Sequence, residues 1–101
     1  MSTLYAMVTG ASEGLGKSFA LELAAKEIPL VLASLPGTGL PQLSSFIQRN
    51  FAIRVIYFEM DLTDTDQCAT LFATLEEQNV QINILINNAG IGGPYTTPEQ
   101  T

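Results

Sequence analysis

Four short apolar runs alternate with three stretches of helical periodicity, and this alternation restricts the chain more than any single motif does. The runs are Leu4 to Val8, Leu30 to Ala33, Ile53 to Met60 and Ile82 to Ile86. The first two are nearly continuous in apolar residues, the pattern of strands covered on both faces of a parallel sheet, and the third is rich in β-branched and aromatic residues. Leu15, Phe19 and Leu23 recur every fourth residue in a first helix that runs to about Glu27 and is stopped by Pro29. Leu40, Leu43 and Ile47 mark a second helix ending near Asn50. Cys68, Leu71, Phe72 and Leu75 mark a third, with Thr63 or Asp64 as its N-cap. Strands and helices in strict alternation, joined by connections long enough for right-handed crossovers, predict half of a doubly wound α/β fold.

Composition narrows the function classes. The chain has 101 residues, enough for one small domain with one core. Ten acidic residues against four basic ones give a net charge of −6, and Lys17, Lys26, Arg49 and Arg54 are scattered, so nucleic acid and anionic membrane are poor partners. No apolar run reaches the roughly 18 residues that a membrane helix needs. The opening MSTLYAMV has no basic segment followed by an apolar stretch, so the expected location is the cytoplasm. The single cysteine, Cys68, allows no internal disulfide and no cysteine-only metal site, and no metal site is expected. With no histidine, the usual general base near neutral pH is missing.

The stretch TGASEGLGKS, residues 9–18, joins the first strand to the first helix and admits three readings. Gly10-Ala11-Ser12-Glu13-Gly14 fits G-x-S-x-G, the turn that exposes a serine nucleophile, but such a serine needs a base. Ala11 to Ser18 differs from the triphosphate cradle G-x-x-x-x-G-K-S only in its first residue, with Lys17 and Ser18 in the phosphate and magnesium positions and Asp61 as a second metal-binding acid. Thr9-Gly10, three residues, then Gly14-Leu15-Gly16 forms a dinucleotide turn. In it Gly10 permits the tight bend, Gly14 lets backbone approach a pyrophosphate, and Gly16 lets the helix sit close to the sheet.

Two further motifs join the third reading. Asp61-Leu62 ends the third strand and Asn87-Asn88-Ala89-Gly90 follows the fourth. In this order and spacing the chain resembles the short-chain dehydrogenase/reductase family. The resemblance implies a Rossmann-type half-domain over residues 1–91, and the polar, Thr- and Pro-rich stretch 92–101 is expected to be a flexible tail. It implies a pyrophosphate and ribose site at Gly10, Ser12, Gly14, Leu15 and Gly16. Asp61 would accept from the adenine amino group with the Leu62 backbone beside it. Asn87, Ala89 and Gly90 would line the adenosine ribose, and Asn88 would brace the central strand.

Cofactor choice turns on the position about 20 residues past the glycine motif, which carries an acid for a ribose 2′-hydroxyl or a basic residue for a 2′-phosphate. Here it is Ser34. No acid stands there to repel a phosphate, and Ser34 with the Gly37 amide can accept one, which favours NADP over NAD. Glu13 counts the other way, since NADP-preferring relatives often carry a basic residue there.

The family implies oxidoreductase chemistry with a tyrosine acid/base and a lysine four residues later. In this chain the residues four beyond Tyr5, Tyr57 and Tyr95 are Thr9, Asp61 and Glu99, so no catalytic residue is assigned. The leading expectation is the cofactor-binding portion of an NAD(P)-dependent oxidoreductase. Two alternatives stay open: a non-catalytic dinucleotide-binding module and a small nucleotide triphosphatase. The fourth strand is expected at a sheet edge, through which the chain would form a homo-oligomer.

Overall fold

The computed structural model describes residues 4–12 and 14–87. Seven elements follow the predicted order: β1 (Leu4–Thr9), α1 (Gly14–Ala25), β2 (Leu30–Ser34), α2 (Leu40–Asn50), β3 (Val55–Glu59), α3 (Thr65–Glu77) and β4 (Gln81–Asn87). The strands form one parallel sheet in the order β3-β2-β1-β4. This is the Rossmann-type arrangement expected from the sequence. From β1 the chain winds outward through β2 and β3, then crosses back to place β4 on the other side of β1. That reversal is a topological switch point, where a crevice opens beyond the carboxyl ends of the strands.

Each sheet face has its own core, because successive strand residues point to opposite sides. Ala6 and Val8 of β1 join Leu30 and Leu32 of β2 beneath α1 and α2, which contribute Ala20, Ala24, Leu40, Leu43 and Ile47. Tyr5 and Met7 join Val31 and Ala33 on the other face, beneath Leu71 and Leu75 of α3. The two central strands are covered on both sides, as their unbroken apolar runs require.

The first helix packs differently from its expected stripe. Its buried residues are Gly16, Ala20 and Ala24, whereas Leu15 is 67% exposed and Phe19 is 37% exposed. Small residues spaced by four let the helix axis come close to the sheet, and the larger residues are left on its flank. In α3, Leu71 and Leu75 are buried as expected and Cys68 is half-buried, but Phe72 is exposed.

Two helix ends are closed by the same device. At the end of α1, Ile28 N–H donates to Leu23 O and Glu27 N–H to Ala24 O, with Glu27 left-handed at φ 63°. At the end of α3, Val80 N–H donates to Leu75 O and Asn79 N–H to Glu76 O, with Asn79 at φ 59°. Both are Schellman motifs, which satisfy carbonyls left over by the last turn. The stop to α1 is therefore this motif at Glu27, ahead of Pro29. Asp64 is the N-cap of α3 and accepts from the Asp66 and Gln67 amides.

β4 lies at the edge of the sheet, as expected. Its pairing with β1 slips by one residue at Asn83, since Tyr5 faces Ile82 and Ala6 faces Ile84. The slip sends Ile82 to the α3 face and Ile84 and Ile86 to the α1 face. The expected tail, residues 92–101, lies outside the described residues.

Candidate functional site

The strand registers bring four strand ends to one side of the sheet. Thr9 is level with Ala33 and with Asn87, and Ser34 is level with Glu59. Every described residue proposed from the sequence for the site lies at or just beyond these ends. Ala89 and Gly90, with Asn88, lie outside the described residues.

The glycine turn leaves β1 through Gly10, whose φ of 65° suits a residue without a Cβ. Gly14 opens α1 with φ 54°, and a Cβ built there would meet no protein atom within 4 Å. The need for glycine at 14 therefore comes from the backbone conformation, and the space beyond it is open to a ligand. The α1 N-terminus stands at this turn, and its first amides have no partner within the helix. Gly16 is buried against the sheet while Leu15 points outward.

Ser12, Ser34 and Thr38 form a compact triangle of hydroxyls beside this turn. Ser12 Oγ lies 2.6 Å from Ser34 Oγ and donates to Thr38 Oγ1 at 2.7 Å, and Ser34 Oγ lies 2.8 Å from Thr38 Oγ1. Thr38 Oγ1 donates in turn to Leu35 O at 2.7 Å. Ser34 is buried, while Ser12 and Thr38 reach the surface. The Gly37 amide, expected beside Ser34 as a phosphate donor, instead donates to Glu59 Oε2 at 3.4 Å. Thr38 and Glu59 are not singled out by the sequence, because their partners Ser12 and Gly37 lie 26 and 22 residues away and meet only through the β1–β2 and β2–β3 registers.

Asp61 and Leu62 follow β3, both half-buried. Asp61 Oδ1 accepts from Thr63 Oγ1 at 2.6 Å and from Thr63 N–H at 2.9 Å. These two bonds, the hydroxyl first, hold its carboxyl below the ordinary value, with desolvation opposing them weakly. Its Oδ2 has no hydrogen-bond partner among the described residues, so an acceptor remains for an amino group. The Asp61 amide is fixed by Gln67 Oε1 at 3.0 Å. On β4, Asn87 Oδ1 accepts from Thr9 Oγ1 at 2.9 Å, which ties the last residues of the two strands flanking the switch point.

This geometry disfavours the other two readings of the loop. A triphosphate cradle places its G-K-S before the helix, whereas α1 already begins at Gly14 and carries Lys17 and Ser18 exposed on its side. Ser12 has hydroxyl neighbours, no histidine exists in the chain to serve as its base, and its turn therefore lacks an activated nucleophile. Among the described residues no cluster of three or more potential metal ligands occurs and no helix is long and apolar enough to cross a membrane. A groove of about 510 Å³ on α2, lined by Pro41, Gln42, Ser45, Gln48 and Arg49, contains none of the expected site residues.

Comparison with known proteins agrees with the fold and the motifs. A family model described as short chain dehydrogenase matches residues 4–101. The 3-oxoacyl-[acyl-carrier-protein] reductase of Buchnera aphidicola subsp. Schizaphis graminum is 36% identical over 86 residues, covering 85% of this chain and 34% of the relative. A very-long-chain 3-oxoacyl-CoA reductase of Bos taurus is 36% identical over 91 residues, covering 90% of this chain and 28% of the relative. Among solved structures, a short-chain dehydrogenase from Sphingobium yanoikuyae in complex with NADPH superposes with a TM-score of 0.75 at 31% identity, covering 100% of this chain and 38% of that one. A metagenomic short-chain oxidoreductase in complex with NADP gives 0.78 at 27% identity, covering 99% and 47%. The chain thus spans about a third of the length of the curated relatives it matches.

Proposed function

The chain belongs to the short-chain dehydrogenase family, and from that premise we propose that it binds a nicotinamide dinucleotide at the carboxyl ends of its strands, NADP(H) in preference to NAD(H). The observation that carries this reading is the convergence there of the turn from Gly10 to an open Gly14, the Ser12–Ser34–Thr38 hydroxyls and the Asp61 carboxylate, whose Oδ2 has no partner among the described residues. Two of the superposed relatives are complexes with NADPH or NADP, which supports the preference.

In this reading residues 1–91 are the dinucleotide-binding half-domain. The turn from Gly10 to Gly16, with Gly14 and Leu15, holds the pyrophosphate, and Ser12 and Ser34 face the adenosine ribose. Asp61 accepts from the adenine amino group beside the Leu62 backbone. Asn87, Ala89 and Gly90 line the other side of that ribose. Because Asn87 already binds the Thr9 hydroxyl, it contributes through its backbone and by fixing the β1–β4 crevice.

The bound cofactor supplies or accepts the hydride. The chain's own part is to bind and orient it. Reduction of a carbonyl or oxidation of an alcohol also needs a proton-transferring group, and none of residues 1–101 forms the Tyr-x-x-x-Lys pair that the family implies. The proposal is therefore cofactor binding as part of an oxidoreductase. Isothermal titration with NADP+ and NAD+ tests it, with NADP+ expected to bind the more tightly of the two. Saturable magnesium-ATP binding with no response to NADP+ would refute it.

Association of two copies through β4 belongs to the same proposal. Among the described residues this edge strand pairs only with β1, and its Leu85 is 46% exposed. Sedimentation equilibrium is expected to show a dimer, and a monomer at all loading concentrations would exclude the association. A cytoplasmic location is proposed with it, supported by the single unpaired thiol of Cys68, which suits a reducing compartment, and is checked by imaging the tagged protein.

A further inference from the structure

We propose that Glu59, reaching from the end of β3, is a specificity-determining residue that competes with a ribose 2′-phosphate for the Gly37 amide and so moderates the preference for the phosphorylated cofactor. The inference rests on the dinucleotide reading above.

The acid missing at Ser34 is supplied from the neighbouring strand. Ser34 and Glu59 are register partners, so the carboxylate of one strand end stands beside the hydroxyl of the other. Glu59 Oε2 takes the Gly37 N–H at 3.4 Å, a long contact on an exposed side chain that an incoming anion can displace. The three hydroxyls next to it are also available at small cost. Four close contacts involve Ser12, Ser34 and Thr38, yet the three side chains own one proton each, and that of Thr38 goes to Leu35 O. At most two hydrogen bonds therefore exist among the hydroxyls, and one short oxygen–oxygen pair has no proton between its members.

A phosphate monoester at this corner accepts the Ser12 and Ser34 protons in charge-assisted bonds, which are stronger than the neutral bonds they replace. It also accepts the Gly37 amide once Glu59 withdraws. A ribose 2′-hydroxyl, by contrast, can donate to Glu59 without displacing it. The site thus has neutral donors that favour a phosphate and one carboxylate that opposes it. A negative charge within a few ångströms of a phosphate dianion, in solvent and at physiological salt, alters its affinity by about three- to ten-fold.

The test is titration calorimetry of the whole chain with adenosine 2′,5′-bisphosphate and with adenosine 5′-monophosphate, comparing wild type, Glu59→Gln and Ser34→Ala. Glu59→Gln is expected to tighten the bisphosphate about three- to ten-fold and to change the monophosphate less than about two-fold. Ser34→Ala is expected to weaken the bisphosphate selectively. If the monophosphate binds but Glu59→Gln alters both ligands equally, or neither, the role of Glu59 is refuted and the dinucleotide reading stands. If wild type binds neither ligand, the dinucleotide reading fails and this inference falls with it.

Discussion

Replacing Ser44 by alanine should make the protein more stable. Ser44 lies on the inner face of α2, 1% exposed, between Leu40, Leu43 and Ile47 on the same buried side. Its Oγ has no hydrogen-bond partner among the described residues. A buried hydroxyl without a partner costs about 1–3 kcal/mol in lost hydration. Alanine removes that cost and adds up to roughly 0.5 kcal/mol of helix propensity. Against this, deleting one oxygen leaves a void of about 15–20 Å³, a penalty of about 0.4–0.5 kcal/mol. The net gain is about 1–3 kcal/mol, with a rise in Tm of roughly 4–8 °C for each kcal/mol in a domain this size. Thermal and urea unfolding followed by circular dichroism measure it, with Ser45→Ala as the control. Ser45 is exposed on the same helix, so its substitution gains the propensity alone, about 0.5 kcal/mol. Equal gains at the two positions, or a loss at Ser44, would refute the claim that the buried hydroxyl is destabilising.

Three other outcomes follow from the same structure. Glu27→Gly should raise stability by about 0.5–1 kcal/mol in urea unfolding, because the left-handed position that closes α1 favours glycine by more than the added freedom of the unfolded chain costs. Asp64→Ala should lower stability by about 1–2 kcal/mol in the same assay, since it leaves the Asp66 and Gln67 amides uncapped. Asp61 has a folded-state pKa below its ordinary 3.8, so its contribution to stability is present above about pH 4 and is lost as pH falls through the lowered value. Thr63→Val removes the hydroxyl bond and should move the Asp61 carboxyl titration, followed by NMR, back toward 3.8.

The sequence revealed strands better than helix faces. Continuous runs such as Leu30 to Ser34 leave no doubt about which face is buried, because both are. In α1 two stripes share the spacing of four: the close approach at Gly16 is legible from the glycine motif, but a reading by hydrophobicity ranks Leu15 and Phe19 above Ala20 and Ala24. Hydrophobicity alone does not register that close helix–sheet contact selects for small size. The slip at Asn83 was hidden for a related reason: Ile82, Ile84 and Ile86 alternate as though they shared a face, and only the pairing with Tyr5 and Ala6 divides them. At the site, Gly10, Ser12, Gly14 and Asp61 were legible because their chemistry resides in local motifs. Thr38 and Glu59 were not, since their roles depend on two strand ends being level.

The most direct test of the central claim is an NMR titration of the isotopically labelled chain with NADP+, followed through backbone amide shifts. The account predicts saturable changes at residues 10–16, at Ser34, Gly37 and Thr38, and at Asp61, Leu62 and Asn87. It predicts little change at Arg54 and Gln78, whose side chains bond to one another near the opposite ends of the strands. Shifts confined to the α2 groove, or no shifts at millimolar NADP+, would contradict it.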